Sequence, residues 1–129
     1  MLHIVGWNAH YENANSRKYK KLSSVMVPNH FDGSRYAELI TGENGVARYA
    51  AWITLICTAA SGTVEQRGYL LRSDGTPHTA ASLSLVTRIP AVIYEDAIPA
   101  LIRLGWVEDV DAKQATKPAT QAQGEPAKW

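Results

Sequence analysis

The chain has 129 residues, 46% of them hydrophobic and 19% charged, which is enough apolar sequence for one compact domain and a short tail. Thirteen Lys and Arg against twelve Asp and Glu leave a net charge of +1, so bulk charge does not by itself indicate a nucleic-acid partner. The single cysteine, Cys57, excludes an internal disulfide, and its apolar surroundings predict a buried thiol.

The amino terminus and the apolar runs carry no membrane or export signal. The opening residues MLHIVGWNAHYE have neither a basic start nor a long apolar stretch, so they do not form a signal peptide. The longest apolar run, residues 50–56, is too short to span a bilayer. We therefore expect a cytoplasmic protein without a membrane partner.

The N-terminal part of the chain has little periodicity. Residues 1–21 are polar and aromatic, and we assign them to an N-terminal arm that ends in a basic cluster of Arg17, Lys18, Lys20 and Lys21. Leu22 to Pro28 alternates in part and ends at a proline, which predicts a short strand. Asp32 to Ile40 is predicted to form a two-turn helix capped by Asp32 or Ser34.

The clearest helix runs from Gly45 to about Ala60, with Asn44 as its N-cap. Its apolar residues at spacings of three and four are Val46, Tyr49, Ile53, Ile56 and Ala60. Trp52 and Leu55 lie off this stripe, so most of the circumference needs burial. We interpret this segment as the central helix of the domain, with Trp52 in the core.

A two-helix unit follows a short strand predicted at Arg67 to Arg72. The segment SDGTPH has the composition of a turn, and Thr79 stands in the N-cap position of the first helix. In that helix Leu83, Val86 and Ile89 are predicted to face inward. Pro90 ends the first helix and opens the second.

The second helix has two chemically different faces. Its inward stripe is predicted to consist of Ile93, Ala97, Leu101 and Leu104. Its outward face carries Val92, Glu95, Pro99 and Ile102, and an outward proline lets the helix bend over the core. Gly105 ends the helix, and Trp106 to Val110 alternates as a strand.

The order of these elements predicts an α+β, mostly helical fold with a small antiparallel sheet, arranged as a winged helix-turn-helix over residues 22–110. Nothing strand-like follows Asp111, so we expect the sheet to be completed by Leu22 to Pro28 or by GYLL, and a long exposed wing to be absent. Residues 111–129 are rich in Ala, Gln, Thr, Lys and Pro, which predicts a disordered tail or linker.

Three motifs carry a family resemblance: SRKYKKL before the first predicted strand, RGYL before the two-helix unit, and ALIRLGW at its end. Over roughly residues 7–110 the chain resembles the N-terminal domain of phage and prophage replication proteins of the replisome-organiser type. The resemblance implies a winged-helix domain that recognises an origin or recruits replication machinery, and no catalytic residue. The chain departs from fuller members because it stops after a short tail, so an autonomous initiator role is not implied.

The candidate phosphate ligands are all cationic. They are the basic cluster Arg17, Lys18, Lys20 and Lys21, the strand-flanking Arg67 and Arg72, and Arg88 and Arg103 in the two-helix unit. Cations at this density contact phosphates, and the counterions they release make binding depend steeply on salt. The alternative for each of them is an ordinary solvated surface charge.

The outward face of the second helix leaves two interpretations open. Glu95 can accept a hydrogen bond from cytosine but is repelled by neighbouring phosphates. Val92, Pro99 and Ile102 fit a protein groove at least as well as thymine methyl groups. The partner is accordingly double-stranded DNA, or else a replication protein or a second copy in a homodimer. A small transcriptional regulator is a third hypothesis.

No arrangement of residues indicates catalysis. The four histidines are scattered, and no Cys or His pair has the spacing of a metal site. HFDGS lacks the arrangement of nucleophile and oriented base that a catalytic triad requires. TGENG lacks the lysine of a phosphate-binding loop. We therefore expect no enzyme activity, metal, cofactor or small-molecule substrate.

Overall fold

The computed structural model describes residues 1–28, 31 and 33–110, which form a mostly helical α+β fold. In chain order its elements are β1 (Leu2–Ile4), α1 (Trp7–His10), a 3-10 helix (Ser16–Lys18), α2 (Ser34–Ile40), α3 (Gly45–Ala60), α4 (Ala80–Thr87), α5 (Ala91–Leu104) and β2 (Val107–Asp109). The predicted tail and the predicted cap Asp32 lie outside the described residues. Within them, no helix is long and apolar enough to cross a membrane.

Helix α3 is the centre of the fold and has the predicted bounds. Its buried side chains are Ala51, Trp52, Leu55, Ile56, Ala59 and Ala60. Ile56 and Ala60 of the predicted stripe are buried, and Trp52 is in the core as predicted, but the buried face is centred nearer to Trp52 and Leu55 than the stripe was. Val46, predicted to face inward, is 77% exposed, and Cys57, predicted to be buried, is also exposed. Because α3 is apolar on several sides, its own sequence does not determine which face is buried. The neighbouring elements determine it instead.

Helix α4 begins where its capping residues predict. The Thr79 hydroxyl oxygen accepts the Ser82 N–H at 3.1 Å, and the Ser82 hydroxyl accepts the Thr79 N–H at 2.7 Å. This reciprocal box satisfies two backbone donors that the first turn otherwise leaves free. Leu83 is fully buried as predicted, but Val86 is exposed because α4 packs on α5 through a narrower face than expected.

The turn from α4 to α5 depends on one left-handed residue. Arg88 has φ 70° and ψ 8°, and its N–H donates to the Ser84 carbonyl at 2.8 Å. Arg88 is the one residue other than glycine with a positive φ among the described residues. Pro90 follows as the N-cap of α5. The chain therefore reverses within residues 88–90, and Arg88 bears the backbone strain of the reversal.

Helix α5 has the two predicted faces. Ala97, Leu101 and Leu104 are buried and Ile93 is partly buried. The outward residues Val92, Glu95, Pro99 and Ile102 are exposed, so the internal proline lies on the outer side as expected. Gly105 ends the helix in the left-handed conformation, with φ 83°.

A hydroxyl network joins the three long helices. The buried Tyr94 hydroxyl of α5 lies 2.6 Å from the Thr54 hydroxyl of α3 and donates to the Thr87 hydroxyl of α4 at 2.7 Å. Thr87 donates in turn to the Leu83 carbonyl at 2.8 Å. The network therefore helps to fix the positions of α4 and α5 relative to α3.

The N-terminal segment supplies the second strand of the sheet. The two segments predicted to supply it, Leu22 to Pro28 and GYLL, do not form strands. β1 pairs antiparallel with β2, in the register Leu2 with Asp109, His3 with Glu108 and Ile4 with Val107. On its other side, His3 forms a single bridge with Tyr69, so GYLL contributes only an isolated contact. Leu22 to Pro28 contains no strand. The sheet thus draws on earlier chain as expected, but from a segment predicted to be an arm.

The predicted boundary between arm and domain at residue 22 does not separate two parts of this structure. Leu2, Ile4, Trp7 and Tyr11 all belong to the hydrophobic core. A three-residue strand and a one-turn helix are too short to show a periodicity in the sequence. For this reason we predicted an N-terminal arm here. Residues 2–11 therefore form part of the same hydrophobic core as the helices.

We predict that Arg88→Gly stabilises the fold by about 0.5–1 kcal/mol, because glycine adopts a positive φ without steric cost and loses only part of that gain to entropy. Thermal and urea unfolding of the variant would measure the change. Arg88→Ala is the matched control, since it removes the same side chain but keeps the Cβ. Equal stability of the glycine and alanine variants would contradict the assignment of strain to Arg88.

Candidate nucleic-acid interface

Arg67, predicted to contact phosphate, is instead the buried half of an ion pair. It is 4% exposed, and its partner Glu12 is 7% exposed. The Arg67 Nε and Nη2 atoms donate to the two Glu12 carboxylate oxygens at 2.6 and 3.0 Å. A bidentate pair of this kind satisfies a charge that burial would otherwise make very costly. Arg67 is therefore not available to DNA.

The Glu12 carboxylate has further donors. Trp7 Nε1 donates to Oε2 at 2.8 Å, and the Ser16 hydroxyl donates to Oε1 at 2.7 Å. Burial by itself would raise the pKa of Glu12, but the hydrogen bonds from Arg67, Ser16 and Trp7 outweigh burial and hold the pKa below its ordinary value. The carboxylate consequently stays ionised at neutral pH.

The same guanidinium holds the basic cluster in place. Arg67 Nη1 donates to the carbonyls of Tyr19 and Lys20 at 3.0 and 3.3 Å, and Nη2 donates to the Ser16 carbonyl at 3.1 Å. The backbone on either side of Lys18 is thus tied to the core, while the side chains of Lys18 and Lys20 are exposed. Arg67 positions the cluster, although it does not belong to the surface itself.

The other members of the cluster lie at its two ends. Arg17 is exposed, and its Nη2 donates to the Asn8 carbonyl at 2.9 Å, which holds it beside α1. Lys21 is exposed and lines a groove together with Arg72. The structure therefore brings Lys21 and Arg72 to one surface feature, a proximity that their separation in sequence does not reveal.

The groove lies between the second half of α3, helix α4 and residues 61–78, and its volume is about 720 Å³. Lys21 and Arg72 are its cationic residues, and His78 adds a neutral imidazole whose Nδ1 lies 2.7 Å from the Ser82 hydroxyl. Burial and the nearby Arg72 charge lower the pKa of His78, despite an opposing effect of Asp74. The exposed Cys57 lies on its α3 side.

The two arginines of the helical unit are exposed at opposite ends of α5. Arg88 lies in the turn before it, and Arg103 lies in its last turn. With 14 residues in the helix, they are about 20 Å apart along its axis. No residue of α5 lines the groove, so Arg88 and Arg103 do not join Lys21 and Arg72 in one site.

The outward surface of α4 and α5 is mainly apolar. Leu85 and Val86 are 69% and 61% exposed, and Val92 is 65% exposed. Asp96, beside the outward face, is held by Arg48 through bonds of 2.8 and 3.1 Å, which lower its pKa. Glu95 is therefore the acidic residue of this face that has no ion pair among the described residues.

The described residues contain no cluster of side chains that could hold a metal ion. No three His, Cys, Asp or Glu side chains of residues 1–28, 31 and 33–110 are close enough to hold a metal ion. His3 is 2.7 Å from Glu108 across the β1–β2 pair, where the two residues face each other in register. This contact joins the strands of the sheet.

Comparison with protein-family models, with curated proteins and with solved structures gives no match to this chain. A functional hypothesis therefore depends on the residues described above and on their geometry.

We predict that Glu12→Gln destabilises the fold by about 3 kcal/mol at pH 7, because it leaves the Arg67 charge buried without a counterion. Since the folded pKa of Glu12 is depressed, its contribution to stability is full above the unfolded pKa of about 4.3 and is lost as pH falls through the lower folded value. Urea unfolding between pH 7 and pH 3 should show the variant's deficit shrinking on acidification.

Glu43→Gln provides the matched control, because Glu43 is exposed in the loop before α3 and has no ion pair among the described residues. Its free energy of unfolding should stay within about 0.5 kcal/mol of the parent at pH 7. A Glu12→Gln variant as stable as the Glu43→Gln variant would show that the buried pair does not stabilise the fold.

Proposed function

We propose that the chain is a winged-helix protein of phage or prophage origin that binds double-stranded DNA in the initiation of replication or its control. The observation that carries the proposal is the α4–α5 unit, in which two helices joined by residues 88–90 pack on each other, α5 packs on α3, and the outward face of α5 is left exposed. A helix presented in this way has the shape required to enter a major groove. The resemblance in SRKYKKL, RGYL and ALIRLGW supports the phage origin.

The sheet is compatible with a winged helix of reduced form. A wing is usually a hairpin formed after the second helix, but here the strand beside β2 is β1. Tyr69 meets β1 on the other side, so β1 occupies the middle of the arrangement. With its central strand taken from the N-terminus, the domain makes its DNA backbone contacts through the basic cluster rather than through a wing.

The anchored basic cluster supports backbone contacts of this kind. Cations on a fixed backbone lose less conformational freedom on binding than cations on a free arm. Phosphate contacts also set the position of a domain on the duplex without reading its sequence. Lys18 and Lys20 in the cluster, and Arg88 at the start of α5, are the residues that we assign to this role.

A protein-docking function is the second candidate, and one observation favours it. Four aliphatic side chains, Leu85, Val86, Val92 and Ile102, are exposed on the same two helices. A replication protein or a second copy of the chain would bury them with a gain of about 25 cal/mol per Å². Light scattering at high concentration distinguishes a homodimer from a monomer. A small transcriptional regulator would use the same duplex contacts and differ in its sequence preference.

We predict that the double variant Lys18→Ala with Lys20→Ala weakens binding to random-sequence duplexes uniformly. The loss of two phosphate contacts should reduce the slope of log K against log salt by about 1.8. Fluorescence anisotropy over a salt series measures both quantities. The charge-preserving variant Lys18→Arg with Lys20→Arg should bind like the parent. Parent binding that is absent at low salt, or independent of salt, would overturn the DNA proposal.

We also predict that Glu95→Lys strengthens non-specific duplex binding and raises the salt slope by about 1, because it replaces a repelled carboxylate with a phosphate ligand. Glu43→Lys makes the same change in net charge in the loop before α3, outside α5, and should have a smaller effect. Anisotropy with the same duplex compares the two. Equal effects of the two variants would show that α5 does not face the DNA, and would favour docking.

A further inference from the structure

The groove defined by α3, α4 and residues 61–78 shares Lys21 with the basic cluster and Leu85 and Val86 with the aliphatic patch, but its other lining residues belong to neither. We propose that it is a binding site for a nucleotide, either free or as one unit of single-stranded DNA, with the phosphate held by Lys21 and Arg72. The inference goes beyond the proposed function, because it concerns a separate cavity and a different ligand.

The charge of the lining selects an anion. Lys21 and Arg72 line the groove, and none of the described residues that line it is Asp or Glu. The chain as a whole has almost equal numbers of acidic and basic residues, so this segregation is a property of the groove. Neither cation forms an ion pair with another described residue. Both are therefore available to a phosphate.

The hydroxyl groups on the α3 side supply the opposite polarity. Thr58 donates its proton to the Thr54 carbonyl at 2.7 Å, and Ser61 donates to the Thr58 carbonyl at 2.6 Å. With the protons committed to the helix, the oxygens of these two residues have lone pairs left to accept hydrogen bonds. They suit the amino group of a base or a sugar hydroxyl better than they suit a phosphate.

The third wall is apolar. Leu85 and Val86 of α4 are exposed and line the groove with Leu71. An apolar wall of this kind can cover the face of a base. The groove volume of about 720 Å³ lies within the usual range for small-molecule sites, roughly 300–1,000 Å³. Cations, hydrogen-bond acceptors and an apolar wall together match the phosphate, the polar edge and the flat face of a nucleotide.

Cys57 provides a direct assay, because it is the chain's single cysteine, is exposed, and lines the groove. The rate at which a thiol reagent modifies Cys57 is measured with and without dAMP, a short single-stranded oligodeoxyadenylate, inorganic phosphate or a duplex. At a ligand concentration ten times the dissociation constant, an occupied groove should slow the reaction about tenfold. Protection by dAMP or by the single strand supports the proposal.

Variants assign the protection to the groove. Lys21→Ala with Arg72→Ala should abolish protection, whereas Arg103→Ala, in the last turn of α5 and outside the groove, should retain it. Each variant is compared with itself in the absence of ligand, which cancels any change in intrinsic thiol reactivity. Lack of protection by both dAMP and the single strand overturns the proposal, and so does protection that survives loss of Lys21 and Arg72.

The remaining ligands test whether the site recognises a nucleotide. Inorganic phosphate that protects as well as dAMP at the same concentration would reduce the groove to a simple anion site and overturn the nucleotide assignment. Protection by the duplex alone would overturn it as well. Duplex binding to the Lys18→Ala, Lys20→Ala variant is scored separately by anisotropy, so failure of the groove and failure of the DNA-binding proposal are distinguishable.

Discussion

The buried pair between Glu12 and Arg67 ties the N-terminal segment to the rest of the fold. Removing two charges from water costs several kcal/mol per ion, so both groups need further partners to remain buried. Trp7 and Ser16 supply them on the carboxylate side, and backbone carbonyls on both sides of Lys18 supply them on the guanidinium side. The interaction that satisfies a core charge is therefore the same one that fixes the basic cluster. A change that breaks the pair would release the cluster and destabilise the core together.

Two of the three motifs that carry the family resemblance meet in the structure, and RGYL and ALIRLGW contribute side chains to the core. Arg67 of RGYL binds the carbonyls of SRKYKKL, as described above. Gly68 of RGYL has φ 98°, and a Cβ there would lie 2.7 Å from Trp7 Cγ, so only glycine fits beside that ring. Trp106 of ALIRLGW packs on Trp52 with ring centroids 5.2 Å apart. Packing explains these residue choices, which therefore determine the shape of the domain rather than what it binds. The chemistry of a bound partner would depend on other residues, namely those exposed on α4, on α5, in the groove and in the basic cluster.

The sequence predicted the elements that have a long apolar periodicity or a clear boundary residue. α3, α4 and α5 follow from apolar periodicity, from Thr79 and from Pro90, and the two faces of α5 follow from its wheel. β1 and α1 were missed because three or four residues show no period. Arg67 was misassigned because its partner is 55 residues away and nothing local marks the pair. The groove was not predicted because separate segments of the chain line it, and Cys57 was misplaced because α3 is apolar on more than one face.

Net charge is a poor guide to this surface, because the unpaired charges are distributed unevenly over it and three of the acidic groups are paired locally. Glu12 is neutralised by Arg67, Asp96 by Arg48, and Asp109 by the N-terminal ammonium at 2.7 Å. What remains exposed on the basic cluster and along the groove is positive, whereas the centre of the outward α5 face carries Glu95 and aliphatic groups. On the DNA-binding hypothesis, the helix that enters the major groove and the cations that bind phosphate therefore lie in different parts of the domain. Binding dominated by phosphate contacts from the basic cluster would depend strongly on salt concentration and only weakly on DNA sequence, since α5 in the major groove would offer few hydrogen-bond donors to the bases. On this hypothesis, selectivity would come from a second contact, either another protein on the aliphatic patch or a separate DNA strand.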